Sequence, residues 1–122
     1  MNAPKLFKIA AWAILAIGII HTSASWDVWT ELGQSSLSLK DKVAMLYMFV
    51  ATGLLFVFTG WVQLLCIKQI SDFQPIYKII RISVILVVVC GVGAAVTLSW
   101  NPFAYIILLI GVYEVIILRK LK

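Results

Sequence analysis

Histidine occurs once in this chain, at His21, and that scarcity removes sites built from several imidazoles, such as haem pockets and multi-histidine zinc cages. Acids are scarce as well: Asp27, Glu31, Asp41, Asp72 and Glu114 are all that 122 residues contain, and only Glu114 lies within an apolar run. The two cysteines, Cys66 and Cys90, fall in different apolar runs without a CxxC. They therefore indicate neither a disulfide framework nor a zinc site, and read as thiols packed like small hydrophobes. There is no HExxH, no glycine loop to cradle phosphate and no Ser-His-Asp arrangement on a strand elbow. No catalytic residue, metal or cofactor is assigned on these grounds. Internal repeats, low-complexity segments and linkers are missing too, so residues 1–122 read as one transmembrane domain.

What is abundant is apolar. With 63% hydrophobic residues, 12% charged and a mean hydropathy of +1.07, the chain has more apolar surface than a soluble domain of its length could bury. It is expected to live in lipid. The runs define an all-α integral membrane four-helix bundle of antiparallel, up-down spans at about residues 6–24, 43–67, 76–99 and 102–118, each near the roughly 20 residues that cross a hydrocarbon core. An outer loop covers residues 25–42. The basic start and the small residues Thr22 to Ser25 also allow a cleavable signal peptide, but the histidine ending the run and the multi-span remainder argue against it.

Local signals place the helix ends. Within the loop, Ser25 to Leu32 can make two turns of interfacial helix before Gly33. Ser38 followed three residues later by Asp41 starts the second span in the manner of a capping box. A short turn from Lys68 to Gln74, containing Asp72, leads to Pro75 at the first helical position of the third span. Trp100, Asn101 and Pro102 make a tight turn into the fourth, with Asn101 as N-cap and Pro102 at N1. The third and fourth spans are thus an antiparallel hairpin.

Two groups of residues stand out against the apolar background. The first is an outer-rim ligand-binding set: His21, Trp26, Asp27, Trp29, Glu31 and Trp100. A lone histidine beside acids and indoles could exchange a proton or bind a ligand, with Gly18 leaving room beside the imidazole. The ordinary reading, an interfacial histidine and tryptophans resting at headgroup level, is favoured. The second group is intramembrane: Glu114, with Lys8 and Arg81 at similar depth as candidate partners, and Gln63 and Thr59 on the second span. Thr52, Thr59 and Gln63 share a stripe beside Gly53 and Gly60, the pattern of a face turned toward other helices. On the third span, Gly91 with Ala95 on one face and Cys90, Gly93, Ala94 and Thr97 on another suggest a helix with neighbours on both sides. For Glu114 a salt bridge is favoured, because an unpaired charge among apolar helices is costly. Without a cation and on a cavity, it would instead be a candidate proton carrier.

Charge sets the orientation. Lys5, Lys8, Lys68, Lys78, Arg81, Arg119, Lys120 and Lys122 fall on one side of the spans, and only Lys40 and Lys42 on the other. By the positive-inside rule both ends are cytoplasmic. The net charge of +5 is then explained by the anionic inner leaflet, and nucleic-acid binding is not needed. The expected partners are membrane lipids, a second copy or a partner membrane subunit.

Gly18-Ile19-Ile20-His21 closing the first span, the Trp-rich segment after it, and Gly60-Trp61 in the second resemble a family of small bacterial four-span membrane proteins of uncharacterised role. The resemblance covers the layout of the whole chain and implies a bacterial inner-membrane bundle, with some weight added to His21. It implies no activity. The function expected is structural, accessory or lipophilic-ligand-binding. The alternative is an oligomeric proton-coupled transporter using Glu114 or His21, and a lipid-modifying enzyme ranks below both. Small multidrug exporters carry their membrane carboxylate in the first span, unlike Glu114 in the fourth.

Overall fold

The structure is a computed structural model and describes residues 2–69, 74–99 and 101–121. Asp72 and Trp100, both singled out above, lie outside the described residues. What is described is helical, with no strand: α1 (Ala3–Ser23), α2 (Ser25–Gly33), α3 (Leu39–Cys66), a single 3-10 turn (Ile67–Gln69), α4 (Gln74–Thr97) and α5 (Pro102–Lys120). Three stretches are long and apolar enough to cross a membrane: Ala3–Gly33, Leu39–Gln69 and Gln74–Thr97. The 19 residues of α5 extend about 28 Å at 1.5 Å per residue.

The ends of these helices are set locally. Asn2 caps α1 by accepting the Lys5 N–H at 3.2 Å. Ser38 caps α3 in both directions: its Oγ accepts the Asp41 N–H at 3.2 Å, and its O–H donates to Asp41 Oδ2 at 2.6 Å. Helix α2 ends at Gly33 without the left-handed residue that often closes a helix, because no described residue has a positive φ. Its last carbonyls are served by the backbone N–H groups of Gln34 and Ser35, which reach Glu31 O and Leu32 O at 3.1 Å, and by two side chains. Ser35 Oγ donates to Leu32 O at 2.7 Å, and Lys42 Nζ donates to Gly33 O at 3.2 Å, which also sets a cation at the negative end of the helix.

Two close helix pairs make the bundle, α1 against α3 and α4 against α5, with lesser contacts from α1 to α5 and from α3 to α4. Backbone approach explains the first pair. A Cβ on Gly18 would sit 2.5 Å from Val57 N, and one on Gly60 would sit 2.8 Å from Ala11 O, so α1 and α3 touch main chain to main chain where side chains are missing. Gly18 therefore admits α3; it does not make room for the imidazole. In the second pair Gly91 lies against Leu108 and Gly111 against Val88, one antiparallel register throughout. Helix α4 has α5 on one side and α3 on the other, and Cys90 packs against Ile14, Phe56 and Val87, while Gly93 on the same face meets nothing within 4 Å.

Between the pairs lie two apolar clusters. Phe7, Ile67, Ile80, Val84, Ile117 and Leu118 fill the end of the bundle where the basic residues gather. Ile14, Phe56 and Val87 fill the middle. Elsewhere large apolar side chains point outward, among them Phe58, Ile82, Val89, Val96 and Leu109, an exposure that water would penalise and lipid does not.

Candidate functional site

Several hydroxyls along the helices are satisfied by their own helix backbone. Thr22 donates to Gly18 O at 2.9 Å, Thr52 to Met48 O at 2.8 Å and Ser83 to Ile80 O at 2.7 Å, the back-bonding that lets a polar side chain sit in an apolar setting. Gln63 and Glu114 have no such recourse, since their polar groups are carried too far from their own backbone. Both are fully buried, and they find each other across 51 positions of sequence: Gln63 Nε2 donates to Glu114 Oε2 at 3.1 Å. Thr59, one turn before Gln63, is buried on the same stripe.

The cations do not take part. Lys8 and Arg81 are exposed, and neither pairs with Glu114, so the partner of the buried acid is an amide in place of the expected ammonium or guanidinium. The remaining oxygens, Gln63 Oε1 and Glu114 Oε1, are buried without a hydrogen-bond partner. Among the described residues this is the side-chain hydrogen bond that crosses the interior, linking α3 to α5, and the large cost of leaving such groups unmatched gives it weight in setting how the two helices are rotated.

At the opposite end of the bundle the outer-rim set is only partly assembled. His21, half-buried, lies flat on Phe49 of α3, with ring centroids 3.8 Å apart and planes 24° from parallel. Asp27 and Glu31 are exposed on α2, and no ion pair joins either to His21. Trp26, 74% exposed, and Trp29 meet Ser25 and Leu46 around a shallow cleft of about 240 Å³. The indoles thus converge with α3, while the histidine and the acids go separate ways. Its aromatic partner, Phe49, was not singled out from sequence, because stacking depends on how α1 and α3 are rotated. Among the described residues no group of three histidines, cysteines or acids could hold a metal ion.

A larger cleft, about 440 Å³, opens between α4 and α5 at the basic end. Arg81 and Arg119 stand at it with Tyr77, and Val84, Ile85 and Val115 form its apolar wall. The antiparallel register explains the meeting: with Gly91 beside Leu108 and Gly111 beside Val88, Arg81 falls level with Leu118 and next to Arg119. From the sequence, Arg81 is a candidate partner for Glu114, and Arg119 counts only toward the orientation. The signal was nevertheless present, since a tight turn near residue 101 sets residues at equal distances from it opposite one another.

No family model matches the chain, nor does any curated protein or solved structure.

Proposed function

We propose that this protein is a four-span, non-catalytic bundle of the bacterial inner membrane that binds lipophilic molecules sideways from the bilayer. The observation that carries the reading is the α4–α5 cleft, whose walls are mainly apolar and whose residues belong to two helices that carry large exposed apolar side chains on their outer sides. Four crossings with both termini cytoplasmic are supported by the basic bias of eight residues to two and by α5 packing antiparallel to α4. Three stretches long and apolar enough to cross a membrane support the other crossings.

Transport coupled to protons is the weaker alternative. Glu114 is sealed against Gln63 in the packed interior, and neither cleft is lined by Glu114 or His21. An enzymatic role lacks support for a similar reason, since His21 rests on Phe49 with its nearby acids unpaired to it.

The direct test is binding. Purified protein in nanodiscs should quench or shift a lipophilic fluorescent probe saturably, and Val115→Trp, which fills the cleft, should abolish that saturable component while leaving the helical circular dichroism unchanged. No saturable binding would refute the reading. A reporter fused after Lys122 should be active only in the cytoplasm, and proteoliposomes should show no proton-driven uptake that Glu114→Gln removes.

A further inference from the structure

Building on the reading of the α4–α5 cleft as a lateral ligand site, we propose that its ligand is an anionic phospholipid, with the phosphate diester held by Arg81 and Arg119 and an acyl chain lying along Val84, Ile85 and Val115.

Both guanidiniums are exposed and neither forms an ion pair with a described residue. Of the described acids, Asp27, Glu31 and Asp41 belong to the other end of the bundle, and Glu114 is turned inward to Gln63. Cations brought together by the register of α4 and α5, with no described carboxylate to neutralise them, are complementary to an anion. A planar guanidinium can give two parallel N–H bonds to phosphate oxygens, and two of them can clamp a diester from both sides.

The walls say which kind of anion. From Arg81, one helical turn toward the bundle centre brings Val84 and Ile85, and from Arg119 one turn in the same direction brings Val115. The cleft is therefore basic at its mouth and apolar toward the middle of the bilayer, the same order of chemistry as a phospholipid read from headgroup to tail. Tyr77 lies one turn on the other side of Arg81, where its hydroxyl can reach glycerol or headgroup oxygens. A free phosphate would use the mouth and leave the apolar wall uncovered.

In the register of the pair, Lys120 at the end of α5 falls level with Ile79, whereas α4 continues to Gln74. In that register the first turn of α4 extends past the last turn of α5. Basic pockets between spanning helices on the side facing the anionic leaflet are a recurrent way of holding such lipids.

Native mass spectrometry of the full chain, released from nanodiscs of mixed phosphatidylglycerol and phosphatidylcholine, tests this. The wild type is expected to retain phosphatidylglycerol over phosphatidylcholine by about tenfold, the scale of a charge-assisted contact. Arg81→Gln with Arg119→Gln should remove the preference, whereas Lys5→Gln with Lys8→Gln, an equal loss of charge at the same end but away from the cleft, should keep it. The proposal is overturned if the arginine double variant keeps the preference, if the lysine control loses it equally, if inorganic phosphate displaces the lipid, or if a second copy occupies the cleft. A lipophilic probe that still binds saturably while phosphatidylglycerol shows no preference would sink the lipid assignment alone. Loss of both in the wild type would sink the lateral-binding reading as well.

Discussion

Replacing Gly18 by Ala adds a single methyl at the tightest point between α1 and α3. That Cβ would lie 2.5 Å from Val57 N, 2.8 Å from Gly53 O and 2.9 Å from Val57 Cγ2. Carbon settles against such neighbours at about 3.5–4.0 Å, so the helices must part by about 1 Å, and two of the three obstacles are backbone that cannot swing aside. Parting also loosens the contacts on either side, where Gly53 meets Thr22 and Gly60 meets Leu15; a gap of that size forfeits about a quarter to a half of each dispersion contact. Overpacking of this kind costs about 1–3 kcal/mol. Gly93→Ala is the matched control, since nothing lies within 4 Å of its new methyl, and alanine's better helix propensity would give up to about 1 kcal/mol in its favour. Equilibrium unfolding in bicelles, with wild type and both variants side by side, reads the difference. Electron-spin distances between labels on α1 and α3 should lengthen in Gly18→Ala alone. If Gly18→Ala is as stable as Gly93→Ala, the reasoning that α1 and α3 are held by backbone approach is refuted.

Gln63→Leu should destabilise by about 1–3 kcal/mol by stranding the Glu114 carboxyl in the interior, whereas Glu114→Gln, which keeps an acceptor for Gln63 Nε2, should cost less; equal losses in the same unfolding assay would count against the bridge. Ser38→Ala removes the cap of α3 and should cost about 0.5–2 kcal/mol, with faster amide exchange confined to the first turn around Asp41. His21→Phe should preserve the stack on Phe49 and be tolerated, while His21→Ala should lose about 0.5–1.5 kcal/mol of ring contact. A His21→Phe variant that folds normally yet loses lipophilic-probe binding would restore a ligand role to the imidazole.

The sequence by itself determined the helices and where they begin. Its apolar runs match α1, α3, α4 and α5 to within a few residues, and the signals at Ser38, Asp41 and Pro102 act where they were expected, because capping is decided by groups three or four residues apart. The short helix after His21 was legible for the same reason, although its end at Gly33 uses Ser35 and Lys42 in place of a left-handed glycine. The tertiary structure alone decided which faces meet. In lipid the outward side of a helix is as apolar as the inward side, so periodicity says little about rotation around the axis. That rotation pairs Gln63 with Glu114 and leaves Lys8 and Arg81 outside. It lays His21 on Phe49, spends Gly18 on admitting α3 and leaves Gly93 uncovered. The meeting of Arg81 with Arg119 stands between the two cases: the tight turn sets their register, but only the packing of α4 against α5 opens a cleft between them.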